Sequence, residues 1–176
     1  MELSRWFIIA EKITEKQLSA AVIAALRVFF VMCLLGTIAF IYYNSLQIAR
    51  QSTVASDEVL GLANRLSATL GLSLAFSEGV IRKLAHVAEY MLLGFWLMLT
   101  LRVYKTQVVS FLSWPLFLGL FVAVTDEFLQ GFVAGRSSEV KDVLIDFGGL
   151  VGGLLAGLIA IWLAAAIWRA SHKKDK

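Results

Sequence analysis

Four long apolar stretches, separated by short polar segments, dominate the pattern of the chain. They run from Val22 to Tyr43, Leu84 to Val103, Val108 to Thr125 and Val143 to Trp168. Each is close to or above the ~20 residues with which an α-helix crosses a ~30 Å hydrocarbon core. The pattern predicts an all-α integral membrane protein, a bundle of four transmembrane helices.

The composition supports this prediction. Hydrophobic residues make up 59% of the chain and charged residues only 16%, whereas a water-soluble domain carries about 25% charge. The net charge of the chain is +3. We expect the basic residues beside the spans to contact anionic lipid and to fix the topology. We therefore expect membrane lipid as a partner and no nucleic acid.

The segments outside the spans are predicted to belong to the same single domain, residues 1–176. Residues 1–21 alternate apolar and charged positions and lack the cleavage site of a signal peptide, so we expect a retained N-terminal amphipathic segment. Apolar residues recur at helical spacing from Leu60 to Leu70, which predicts a short amphipathic helix between the first two spans. A four-helix core, 22–168, is followed by a basic tail, 169–176.

The Lys and Arg residues beside the spans predict the orientation of the helices. With both termini in the cytoplasm, nine basic residues lie inside: Arg5, Lys12, Lys16, Arg102, Lys105, Arg169, Lys173, Lys174 and Lys176. Six lie outside: Arg50, Arg65, Arg82, Lys83, Arg136 and Lys141. The inner segments are shorter and denser in positive charge, so cytoplasmic termini are predicted.

Acidic residues are divided unevenly between the two sides. In the predicted orientation nine of the thirteen lie on the outer side: Asp57, Glu58, Glu78, Glu89, Asp126, Glu127, Glu139, Asp142 and Asp146. The polar chemistry of the chain is therefore expected to collect on the extracytoplasmic face.

The second span opens with the stretch "RKLAHVAEYMLLG", residues 82 to 94. Arg82, His86 and Glu89 recur at four and three residues and so share one helix face, with Tyr90 alongside. Glu89 lies ~9 Å deeper along the axis than Lys83. A charge placed there against lipid costs several kcal/mol, so Glu89 is expected to face the bundle and to have a partner.

The third and fourth spans bring polar residues to the same end. Asp126 and Gln130 share a face at the end of the third span, with Glu127 to the side. Arg136 follows in the turn, and Asp142 and Asp146 open the fourth span one turn apart. Together with the second span they predict a polar pocket formed by Lys83, His86, Glu89, Tyr90, Asp126, Glu127, Gln130, Arg136, Asp142 and Asp146.

A structural interpretation of these residues competes with the functional one. Charged residues at helix ends often orient a span at the interface, and Arg82, Lys83, Glu139 and Lys141 are most simply explained that way. The inward residues could likewise form an ion-pair network without a ligand. Arg27 could neutralise a carboxylate or extend to the inner interface. Three polar residues end the first span and could cap it or complete the pocket: Asn44, Ser45 and Gln47.

Gly149, Gly153 and Gly157 recur every four residues in the fourth span. Small residues at this spacing let a neighbouring helix approach closely, whichever helix that is. The partner could be a helix of this chain or, in a homodimer, of a second copy.

The polar motifs resemble those of the VanZ-like family. The resemblance rests on "RKLAHVAEYMLLG", on "TDEFLQGFVAGRSSEVKDVLIDFGG" and on "NSLQ" after the first span, and it covers residues 22–165. The family's usual pattern has Asn where Asp146 stands here. The resemblance implies a small bacterial multi-pass protein of the cytoplasmic membrane. It also implies a contribution to tolerance of teicoplanin-type lipoglycopeptides without remodelling of the peptidoglycan target.

Three functions use these residues. A binding or envelope-modulating protein could hold a lipid head group or an antibiotic moiety, with Arg136 and Lys83 on a phosphate or carboxylate. A membrane enzyme could use His86, oriented by Glu89, as acid or base on a phospholipid or polyprenyl-phosphate head group. A proton-coupled transporter could use the same His and carboxylates. The candidate catalytic residues are His86, Glu89 and Asp126, and whether the chain is an enzyme stays open.

No cofactor is required by this pattern. Zinc would need more His or Cys ligands than the one His in the membrane half of the site. A divalent cation could be held by Asp126 or Asp142, but carboxylates balanced by Arg and Lys need no metal. We therefore expect no metal site.

A cysteine introduced at Ser137 tests the orientation. We expect it to react with a membrane-impermeant maleimide added outside intact cells, because Ser137 follows the third span on the predicted outer side. Labelling only from the cytoplasmic side would overturn the predicted topology.

Overall fold

The computed structural model describes residues 20–47, 61, 64–65, 69, 77–136 and 138–172. Their helices are α1 (Ala20–Ser45), α2 (Glu78–Tyr104), α3 (Ser113–Gln130) and α4 (Val140–His172), with a short 3₁₀ helix at Val108–Phe111 before α3. Four helical spans, the third formed by the 3₁₀ helix together with α3, are long and apolar enough to cross a membrane. The predicted all-α class with four membrane helices is confirmed.

Two predicted amphipathic segments lie largely outside the described residues. The N-terminal segment, 1–21, is described only from Ala20, and the apolar stripe from Leu60 to Leu70 is not described. The described residues of that region, Gly61, Asn64, Arg65 and Thr69, are helical and exposed.

Helices α2 and α4 begin before their apolar stretches do. Ser77 caps α2, its Oγ accepting a hydrogen bond from the Val80 backbone N–H at 3.4 Å. The first turn and a half of α2 therefore carries Arg82 and Lys83 as helical residues, and Asp142 stands in the first turn of α4. This polar lead-in places charged side chains on regular helix faces above the apolar core.

Helix α3 begins late because of the only proline in the chain. Pro115 stands in the first turn of α3, where a missing backbone N–H leaves no hydrogen bond unmade. The preceding residues of the apolar stretch, Val108–Phe111, form the 3₁₀ helix instead.

Helices α2 and α4 lie parallel and in backbone contact. A Cβ added at Gly149 would lie 2.7 Å from the Val87 carbonyl oxygen, and one added at Gly153 would collide with the Met91 carbonyl oxygen. In the other direction, a Cβ on Gly94 of α2 would collide with the Leu150 carbonyl oxygen. The glycines therefore let the two backbones touch, as small residues do between membrane helices.

The glycine stripe is thus covered within the chain. Gly157 continues it, since a Cβ there would lie 2.7 Å from the Met98 Cβ. A homodimer stays a prediction, and it would have to use a face other than Gly149, Gly153 and Gly157.

The core fills the space among the four helices. Tyr90, Leu93 and Met98 of α2 pack with Leu150 of α4 and Val122 of α3, all at most 2% exposed. Helix α1 joins through Ile41 and Leu34, which belong to the same cluster. Many large apolar side chains stay exposed on the outside of the bundle, as expected of a surface that faces lipid.

Successive helices run in alternating directions, so residues from all four helices meet at one end of the bundle. Helix α1 runs antiparallel to α2, because Asn44 of α1 reaches Glu89 while Arg27 reaches Val103 and Tyr104. The ends of α1 and α3 therefore meet the beginnings of α2 and α4. Arg27 lies at the opposite end of the bundle, with its guanidinium over the Tyr104 ring. The prediction that Arg27 could neutralise one of the carboxylates is therefore wrong.

We predict that Gly153→Ala destabilises the bundle and that Gly148→Ala does not. The Gly153 methyl group would collide with backbone of α2, and such overpacking costs about 1–3 kcal/mol. A Cβ at Gly148 meets nothing within 4 Å in the described chain, and Ala favours the helix by ~1 kcal/mol. The thermal unfolding midpoint of each detergent-purified variant is measured by size-exclusion chromatography after heating. Equal midpoints would contradict the close α2–α4 contact.

Candidate functional site

A polar pocket opens at the end of the bundle where α2 and α4 begin. Its volume is about 130 Å³, roughly ten times the ~10–15 Å³ needed to hold one water. Its lining comes from α2, α3, the turn after α3 and α4: Arg82, Lys83, His86, Glu127, Gln130, Gly135, Arg136, Glu139, Asp142, Ile145 and Asp146.

The polar side chains are arranged in two layers. On α2, His86 lies one turn, ~6 Å, deeper than Arg82, and on α4 Asp146 lies one turn deeper than Asp142. Gln130 and Asp126 repeat this spacing on α3. In the outer layer Arg82 is exposed and Asp142 is partly exposed, whereas Asp126 and Asp146 of the inner layer are at most 1% exposed.

Asp126 is the best-satisfied carboxylate of the inner layer. Ser45 of α1 donates its hydroxyl hydrogen to Asp126 Oδ1. Gln130 Nε2, one turn further along α3, donates to Asp126 Oδ2 at 3.2 Å. These two hydrogen bonds, made in a nearly dry environment, offset part of the cost of burying the acid.

Glu89 has its partner on α1. Asn44 Nδ2 donates to Glu89 Oε1 at 2.7 Å. This contact confirms that Glu89 faces the bundle, as the cost of lipid exposure predicts.

His86 faces two aspartates on other helices. Its Nδ1 lies 3.9 Å from Asp126 Oδ2 and 3.7 Å from Asp146 Oδ1. Both separations exceed an ordinary hydrogen bond. His86 is therefore set between Asp126 and Asp146, rather than paired with Glu89 on its own helix.

Glu127 fixes the loop between α3 and α4. It is 3% exposed and accepts a hydrogen bond of 3.0 Å from the Glu139 backbone N–H, just before α4 begins. Within the same loop Gly135 has a φ of 81°, which glycine adopts without the strain that other residues meet. The loop then turns Arg136 back toward α1, where its Nη2 donates to the Asn44 carbonyl oxygen at 3.2 Å.

Arg136 and Arg82 place two guanidinium groups beside one pocket. Burial and the nearby Arg82 guanidinium lower the pKa of Arg136, although an arginine stays protonated in proteins. Neither side chain forms an ion pair with a carboxylate in the part of the chain that the structure describes. The Arg136 Nε is buried and has no hydrogen-bond partner among those residues.

Lys83 and Asp142 form the outermost pair. Lys83 Nζ lies 2.7 Å from Asp142 Oδ1, and both side chains are substantially exposed. Exposed pairs of this kind contribute ~0–1 kcal/mol, so this one mainly aligns the beginnings of α2 and α4.

The structure brings the predicted pocket residues to one end of the bundle, at different depths. Seven of the ten line the pocket, whereas Asp126, Glu89 and Tyr90 are not part of its lining. Tyr90 is fully buried and lies near Asp126 and Asp146.

Sequence reasoning gave too little weight to the end of α1. Asn44 and Ser45 could be explained as helix-capping residues, but they bind Glu89 and Asp126. The signal that could have identified them is their position, since the polar end of the first span lies at the same end of the bundle as two acids predicted to face inward.

Comparison with known families decides the affiliation. The profile of the VanZ/LLP1 family matches residues 28–164, which is more than half of the chain and contains every pocket residue. The chain belongs to the VanZ/LLP1 family. No curated protein and no solved structure matches it significantly.

As a VanZ/LLP1 protein with four membrane helices, the chain is a VanZ-like multi-pass membrane protein. The matched region begins in α1 and ends in α4, so the family affiliation applies to the bundle and to the pocket at its end.

Proposed function

We propose that this protein binds a phosphate-bearing lipid head group in an outward-facing polar pocket. By doing so it modulates the envelope of a bacterial cytoplasmic membrane and contributes to resistance to lipoglycopeptides of the teicoplanin type. A moiety of the drug itself is the alternative occupant of the same pocket.

The paired guanidinium groups of Arg82 and Arg136 carry the proposal. Two cations beside one another repel, and here no carboxylate of the described residues forms an ion pair with either. A phosphate would neutralise both, since guanidinium groups bind its oxygens in a bidentate manner. The unpartnered Nε of Arg136 offers a donor that such a ligand can satisfy.

The position of the pocket fits a lipid ligand. It opens at the end of helices whose outer surfaces are apolar, so its mouth lies near the depth of the lipid head groups. Bound head groups would change what the outer leaflet presents to a drug. The excess of basic residues in the inner segments supports the outward orientation.

An enzyme remains the alternative function, and one observation favours it. His86 lies between Asp126 and Asp146 at the floor of the pocket, and an imidazole beside carboxylates is suited to general acid–base catalysis. Such an enzyme would act on a phospholipid or polyprenyl-phosphate head group, with Asp146 rather than Glu89 orienting His86.

Binding of farnesyl phosphate, with farnesol as the uncharged control, tests the proposal. We expect Arg136→Gln to weaken binding of farnesyl phosphate about 10- to 100-fold, because a hydrogen bond to a charged group contributes ~1.5–3 kcal/mol. Lys141→Gln, which removes an exposed cation from the same end of the bundle, should change binding less than about twofold. Native mass spectrometry of the detergent-purified chain measures the bound fraction.

Two cellular readouts complete the test. Arg136→Gln should lower teicoplanin tolerance at equal protein level, while peptidoglycan composition stays unaltered. Equal binding of farnesol and farnesyl phosphate, or an unchanged Arg136→Gln variant, would contradict the proposal. Turnover of labelled envelope lipid that His86→Ala abolishes would favour the enzyme instead.

A further inference from the structure

The inner layer of the pocket contains a set of potential metal ligands drawn from three helices. His86 of α2, Asp126 of α3 and Asp146 of α4 each place one ligand atom within 4.8 Å of the other two. Against the expectation from the sequence, we propose that these three residues bind a divalent metal ion of the Mn²⁺ type. This inference goes beyond the proposed binding of a phosphate and does not depend on it.

The separations suit a shared ion. His86 Nδ1 lies 3.7 Å from Asp146 Oδ1 and 3.9 Å from Asp126 Oδ2. These distances are too long for hydrogen bonds. Ligand atoms at about 2.0–2.6 Å from a common ion are separated by about 3–5 Å, so an ion fits among them with little movement of the side chains.

Unsatisfied polar atoms surround the same point. Asp146 is 1% exposed, and its Oδ2 has no hydrogen-bond partner among the described residues. The Tyr90 hydroxyl, which is not a member of the ligand set, is fully buried near both aspartates, and no described atom meets the geometry of a hydrogen bond to it. Buried polar atoms without partners are costly. An ion would engage Asp146, and a water bound to the ion would engage Tyr90.

The balance of charge also favours a cation at this depth. Two buried carboxylates share a single imidazole, and Glu89 and Glu127 lie nearby. Of the cations of the site, Arg82 and Lys83 are in the outer layer, where Lys83 already pairs with Asp142, and Arg136 forms no ion pair with Asp126 or Asp146 among the described residues. The pair formed with Lys83 also separates the roles of the two aspartates of α4: Asp142 serves the outer layer and Asp146 the inner.

The ligand set selects the kind of ion. Carboxylate oxygens suit Mg²⁺, Ca²⁺ and Mn²⁺, whereas an imidazole nitrogen suits transition metals. Zinc sites usually contain more nitrogen or sulfur ligands than the one nitrogen present here. Mn²⁺ accepts both donor types, and an ion could reach the site from the pocket, because His86 and Asp146 line it.

Electron paramagnetic resonance of Mn²⁺ tests the site without any activity. The full chain is purified in detergent, stripped with a chelator and titrated with Mn²⁺, whose free six-line signal disappears on binding. We expect one Mn²⁺ per chain, at least tenfold weaker binding in Asp146→Asn, and a change below about twofold in Asp142→Asn. The latter removes an acid one turn away that belongs to the outer layer.

A second measurement guards against misfolding of the variants. Mn²⁺ should raise the thermal midpoint of the unaltered chain and of Asp142→Asn, but not of Asp146→Asn, provided that all three elute alike in size-exclusion chromatography. Absence of Mn²⁺ binding by the unaltered chain would overturn the inference, as would binding that Asp146→Asn and Asp126→Asn leave unchanged. Farnesyl phosphate binding in excess chelator is scored separately, so failure of one proposal is distinguishable from failure of the other.

Discussion

A carboxylate inside a membrane-spanning helix must find a polar partner within the protein, because exposing it to lipid costs about 2.5–3.5 kcal/mol or more. Here Asp126 and Glu89 each have a partner on another helix. Asp126 of α3 is bound by Ser45 of α1, and Glu89 of α2 is bound by Asn44 of α1. Each buried acid therefore constrains the position of a second helix, and the polar end of the bundle is held by these contacts as well as by apolar packing.

The glycine contact between α2 and α4 makes this arrangement feasible. Because Gly149 and Gly153 let the two backbones touch, His86 and Asp146 come within 3.7 Å of each other one turn below the pocket mouth. The outer layer then presents Arg82 and Arg136 to a ligand from the lipid side. Packing, burial of charge and the proposed binding of a phosphate thus follow from the same helix arrangement, and the inner layer offers the proposed metal ligands.

The sequence predicts the four spans well, since lipid requires long apolar stretches, and it predicts that His86, Glu89, Asp126 and Asp146 meet. Which polar side chains contact one another is harder to predict. His86 and Glu89 share a helix face, yet each finds its partners on other helices. The role of Ser45 was not identifiable, because a polar residue at a helix end can equally cap that end. Which neighbour the acids of α4 face depends on the rotation of α4 about its axis, which the glycine contact with α2 sets.

The most direct test of this account is a double-mutant cycle between Ser45 and Asp126, in which unfolding of Ser45→Ala, Asp126→Ala and the double variant is measured in detergent. If buried acids hold the helices together, the two residues should couple by about 1–2 kcal/mol. The exposed Lys83–Asp142 pair, as the control cycle, should couple by less than about 1 kcal/mol. Effects of Ser45 and Asp126 that add within ~0.3 kcal/mol would contradict the account.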